Sequence, residues 1–111
     1  MAWSKIGKSD GLKQGKIKEY NINGKKILVS NMDDKFYAID AICSHLGAEL
    51  AKGKKDNNTI ICPKHHAIFN IQTGKVEKNI NGLFKFMTRK DASDLKSYEV
   101  KAENNEIMIN L

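Results

Sequence analysis

Apolar and polar positions alternate with period two in several short stretches of this chain, and each stretch stops at turn-forming residues. Residues 16–22 and 26–31 flank Asn23-Gly24, a pair in which both residues accept positive φ, so the spacing predicts a hairpin with a two-residue turn. Asp33-Asp34 separates the second strand from Phe36-Tyr37-Ala38-Ile39, which extends the hairpin to a three-stranded meander. Residues 59–61 and 67–71 read as two further short strands. They are followed by a turn at Gln72-Thr73-Gly74-Lys75, in which Gly74 suits a left-handed position. Near the C-terminus Tyr98, Val100 and Ala102 alternate with Glu99 and Lys101, and Ile107 and Ile109 alternate with Met108 and Asn110. Glu103-Asn104-Asn105 turns the chain between them, so antiparallel sheet is expected.

Helical periodicity is weak. Residues 48–52 and 91–96 each suit one short turn. Residues 79–94 hold Leu83, Phe84, Phe86 and Met87 without a clean period; the expectation is that these side chains cap one end of the sheet core, the alternative being an exposed docking patch. No repeat, linker or low-complexity tract breaks the pattern. An all-β fold of many short strands follows, in a single domain over residues 1–111.

Composition narrows the function classes. A chain of 111 residues with 41% hydrophobic positions builds one core of ordinary size. No apolar run approaches the roughly 20 residues of a membrane helix, and the first residues do not make a secretory signal, so no membrane association and a cytoplasmic location are expected. The net charge is +6, but Arg89 is the only arginine. Sequence-specific nucleic-acid readers lean on arginine forks, whereas these lysines are scattered like a solvated surface, so no nucleic-acid partner is expected. A sharper reading is steering toward an acidic partner. It gains weight from Lys52, Lys54, Lys55 and Lys64, which lie close in sequence to the candidate chemistry.

That chemistry sits in two tight clusters, Cys43-Ser44-His45 and Cys62-Pro63-Lys64-His65, with 16 residues between them. A buried cysteine often acts as a small apolar filler, and a lone histidine is usually structural. Two cysteines can also close a disulfide, although disulfides are rare in the cytosol. None of these readings explains why each cysteine has a histidine two or three residues on, at the ends of predicted strands. Metal binding explains it. Two Cys and two His can hold a tetrahedral structural zinc, which would make the chain an interaction module. Zinc fingers, however, keep like ligands together and place a helix between the histidines. One thiolate and one imidazole per loop, in strand-like surroundings, suits a two-iron, two-sulfide cluster clamped by two loops.

In these residues the sequence resembles the Rieske iron–sulfur family, whose pattern is Cys-x-His, an interval of similar length, and Cys-x-x-His. Phe36-Tyr37-Ala38-Ile39-Asp40 before Cys43, Ser44-His45-Leu46-Gly47 after it, and Phe69 and Thr73-Gly74 after the second cluster extend the likeness. Trp3 and the closing hairpin from Tyr98 to Ile109 also fit. The resemblance implies a Rieske-like antiparallel β-sandwich or barrel base, with a small two-loop cluster-binding subdomain at about residues 41–74. It implies a [2Fe–2S] cluster with Cys43 and Cys62 on one iron and His45 and His65 on the other. Backbone amides of Leu46, Gly47, Lys64 and His66 are candidate donors to the sulfurs. His66 stands where the family has glycine and is read as a surface or supporting side chain rather than a fifth ligand.

The function implied is a one-electron carrier without catalysis of its own, a monomeric ferredoxin between a reductase and a terminal oxidoreductase. The alternative is the small subunit of a multi-component oxygenase or nitrite reductase. The high-potential members carry an extra cysteine in each loop, and this chain has only two cysteines in all, so a low-potential member is expected.

Overall fold

The structure, a computed structural model, describes residues 3–33, 35–42, 48–63, 67–78 and 93–110. Among these residues the chain forms eleven strands and two single turns of 3-10 helix, and no α-helix. Asn23 and Gly24 take positive φ, 53° and 84°, and join β2 (Ile17–Ile22) to β3 (Lys25–Met32). The Asn21 side-chain oxygen accepts the Gly24 N–H at 3.0 Å, which locks the turn. β4 (Lys35–Asp40) pairs with β3 and completes the expected meander.

Ile27, Leu28 and Val29 form an unbroken apolar run in β3, and all three are fully buried. Such a run marks a strand covered on both faces. One face presents Ile27, Val29 and Ala38 to Ile107 and Ile109. These two come from a second sheet, in the order β1 (Trp3–Lys8), β11 (Glu106–Asn110), β10 (Val100–Glu103). The opposite face presents Leu28, Ile39 and Ala41 to Ile60, Phe69 and Ile71. These belong to a third sheet of consecutive antiparallel strands, β5 (Lys54–Asp56), β6 (Thr59–Ile61), β7 (Ile68–Asn70) and β8 (Val76–Lys78), or to its turns. The central meander is thus sandwiched between a base sheet and a smaller sheet, with a core on each side.

The expected strand through Tyr98, Val100 and Ala102 is divided. β9 (Ser97–Tyr98) pairs with β4, and β10 pairs with β11, so the chain changes sheet at Glu99. The Glu99 carbonyl accepts the Asn110 N–H at 2.9 Å and fixes the crossing. The short turn expected at 48–52 forms as a 3-10 turn, Leu50–Lys52. The turn expected at 91–96 does not form over 93–96. There the Asp94 carboxylate accepts the Val76 N–H at 2.9 Å and the Leu95 N–H reaches the Gly74 carbonyl at 2.7 Å, so the segment lies along β8 instead. Leu83, Phe84, Phe86 and Met87 lie outside the described residues.

Candidate metal centre

The two segments that carry the candidate ligands leave from the end of β4 and from between β6 and β7. Of the four ligands implied by the sequence, Cys62 lies among the described residues; Cys43, His45 and His65 lie outside them, as do Leu46, Gly47, Lys64 and His66. Among the described residues no three His, Cys, Asp or Glu side chains gather as a metal site.

The second loop is a hairpin tip. Ile61 on β6 pairs with Ile68 on β7, and the Cys62 N–H donates to the Ala67 carbonyl at 2.8 Å, so the loop spans only residues 63–66. Cys62 is 1% exposed and packs in the core with Ala48, Leu50 and Ala67. The first loop is closed by its own flanks and braced by residues from elsewhere in the chain. Ile42 and Glu49 form an antiparallel bridge, and the Leu50 N–H donates to the Ala41 carbonyl at 2.9 Å. The Ala41 N–H in turn donates to the Lys26 carbonyl at 3.0 Å, and the Asp40 N–H to the Lys96 carbonyl at 2.9 Å.

Two carboxylates complete this base. The Tyr98 hydroxyl donates to Asp40 Oδ1 at 2.6 Å, and burial followed by this bond raises the Tyr98 pKa above that of an ordinary phenol. Glu49 accepts from Lys52 at 2.8 Å and from Lys26 at 3.3 Å, and these ammonium groups, Lys52 first, hold its carboxyl below the usual carboxylate range. After the 3-10 turn the chain passes close to β6 at Gly53. A Cβ there would collide with the Ile61 carbonyl oxygen, so only glycine lets the first loop return this near to Cys62. The two loop bases share one core, since Ala41, Ala48 and Leu50 from the first pack with Cys62 and Ala67 from the second.

A buried thiol at a hairpin mouth suits metal binding, because a buried thiolate needs a compensating cation. Residues 2–87 match the family model described as Rieske [2Fe-2S] domain. The chain belongs to the Rieske [2Fe–2S] domain family. Its cofactor is accordingly a Rieske-type [2Fe–2S] cluster and its role electron transfer rather than catalysis, as the sequence implied. It is similar to the ferredoxin component of naphthalene 1,2-dioxygenase/salicylate 5-hydroxylase systems of a Ralstonia species, with 29% identity covering 98% of this chain and 95% of the relative. Sulredoxin of Sulfurisphaera tokodaii is 30% identical, covering 68% of this chain and 70% of the relative. Among solved structures, a chain in the complex of reduced oxygenase and oxidized ferredoxin in carbazole 1,9a-dioxygenase matches with a TM-score of 0.80 and 25% identity, covering 96% of this chain and all of that one. The all-β fold read from the sequence is therefore that of Rieske ferredoxins, and the structural-zinc reading is set aside.

Sequence reasoning gives Asp40 and Tyr98 no role at the site and passes over Glu49 and Gly53. Tyr98 and Asp40 are 58 positions apart, and no local pattern joins them. Glu49 stands three residues before Lys52, a helical spacing that could have suggested their pairing.

Proposed function

We propose that Cys43 and Cys62 hold one iron of the cluster as thiolates, and that His45 and His65 hold the other through neutral imidazoles. The observation that carries this reading is that the bases of both loops meet in one shared core, with Cys62 buried where the second loop begins. When bound, the cluster takes up and returns one electron. The chain's part is to set the charge around it. Two imidazoles in place of two thiolates remove negative charge, which raises such centres to about −150 to +300 mV from roughly −400 mV in plant-type ferredoxins. With no further cysteine in either loop, the low end of that range is proposed.

The carrier works as a monomeric cytoplasmic ferredoxin in a single domain, with residues 41–74 as its cluster-binding part. It shuttles electrons from a reductase to an oxygenase. The net charge of +6 suits brief docking with acidic partners. The related ferredoxin captured with its oxygenase favours this role over that of a permanently bound subunit. Electron paramagnetic resonance of the reduced protein, with iron and acid-labile sulfide analysis, tests the site. Two irons and two sulfides with a mixed sulfur–nitrogen signature are expected; a single metal ion without sulfide overturns the reading.

A further inference from the structure

Four ammonium groups gather beside the base of the first loop. Lys25 and Lys96 each stand 5.1 Å from the centre of the Tyr98 ring, and Lys26 and Lys52 both reach Glu49. The facing carboxylates are Asp40 and Glu49, and both are engaged: Asp40 accepts the Tyr98 hydroxyl and Glu49 the two lysines. Among the described residues neither Lys25 nor Lys96 closes an ion pair with a carboxylate. The Lys25 ammonium is held above its ordinary pKa by the Tyr98 hydroxyl and then by Asp40, so its charge is secure near neutrality. Two ammonium groups held at one ring together attract an approaching anion.

We propose that the flank formed by Lys25, Tyr98 and Lys96 is where carboxylates of an acidic redox partner dock. This rests on the electron-carrier reading above and moves the contact away from Lys54 and Lys55. It sets the partner against Asp40, three residues before Cys43, on the strand that leads into the first loop. Sequence proximity hides the flank, because Lys25 and Lys96 are distant in sequence from both candidate ligand pairs and come to the same Tyr98 ring only because β4 joins β3 and β9 in one sheet.

The test uses the cluster-loaded chain reduced by dithionite, with hexacyanoferrate(III) as oxidant, a trianion that takes one electron and leaves as hexacyanoferrate(II). Two double variants remove the same charge from different places: Lys25→Gln with Lys96→Gln, and Lys54→Gln with Lys55→Gln. The first pair is expected to slow the reaction on the order of fivefold at low ionic strength and the second by less than about twofold, with all three proteins converging at high salt. Poly-L-glutamate, a carboxylate chain without redox chemistry, should inhibit the wild type and lose that effect on the first pair. Equal slowing by the two pairs would mean that only net charge matters, and greater slowing by the second would place docking over β5; either overturns the proposal. Midpoint potentials are measured alongside, and a shift large enough to explain the slowing also overturns it. If no reducible protein can be made, the electron-carrier reading fails separately. The flank is then judged by amide chemical shifts on adding poly-L-glutamate, with changes at Lys25, Lys96 and Tyr98 supporting it and changes centred on β5 refuting it.

Discussion

The bases of the two candidate ligand loops are held by different physics. The second is local: two neighbouring strands, one backbone hydrogen bond at its mouth and a buried cysteine. The first also has a local bridge at its mouth, Ile42 with Glu49, but its base leans on distant parts of the chain, with Lys26, Lys96 and Tyr98 supplying hydrogen bonds and a charged triad around Glu49. A hairpin tip forms as soon as its strands pair, whereas the first base requires the meander, β9 and the 3-10 turn together. Disturbing Cys62 should therefore act on the metal directly, and disturbing the base of the first loop should act through geometry and salt.

Cys62→Ser gives the largest expected effect. It removes a donor and leaves a hydroxyl in an apolar core, so cluster assembly is expected to fail and stability to fall with it, because metal binding is linked to folding. Visible absorption and iron content check this; retention of full iron would sink the assignment of Cys62. Gly53→Ala comes next. Its methyl group meets backbone rather than a flexible side chain, so the first loop must move off β6. A loss of about 2–4 kcal/mol in urea unfolding is expected, with faster release of the cluster.

Which parts were legible in the sequence follows from the same contrast. Asn23-Gly24 and Asn104-Asn105 encode their turns locally; the first pair adopts the positive φ expected of it, and Asn104 and Asn105 take positive φ as well. Gly74 likewise takes φ 80°. The Cys-x-His and Cys-x-x-His spacings point to the candidate site, though only Cys62 of the four proposed ligands lies among the described residues. Strands without a pattern of their own were missed. β5 carries Lys54, Lys55 and Asp56, with no apolar residue, and exists because β6 offers a partner after the Asn57 turn. β1 has a bulge between Lys5 and Gly7 that spoils its alternation. The supports of the first loop were invisible for a related reason: they are tertiary contacts between residues such as Tyr98 and Asp40, which no short window contains.

Tyr98→Phe probes one of those contacts. It keeps the ring under Lys25 and Lys96 but deprives Asp40 of its 2.6 Å donor. A hydrogen bond to a charged acceptor contributes about 1.5–3 kcal/mol, and partial solvation of Asp40 places the expected loss at the lower end. Urea midpoints measure it. The cluster content should be unchanged, unlike that of Cys62→Ser, and a loss of iron from this variant would break the division between the loops.

The smallest effect belongs to Glu49→Gln. The carboxylate is held between Lys52 and Lys26, but all three side chains meet solvent, so water and salt screen the pairing. Its pKa is depressed in the folded chain, first by Lys52 and then by Lys26. Its contribution is therefore present above the unfolded value, near about 4.3, and is lost as the pH falls through the lower folded value. Wild type and variant should differ slightly at pH 7 in low salt. They should converge both in high salt and as the medium becomes more acidic than that window. Thermal unfolding across such a grid checks the sign: a gap that widens on acidification, or one indifferent to salt, would show that Glu49 supports the first loop by packing and not by charge.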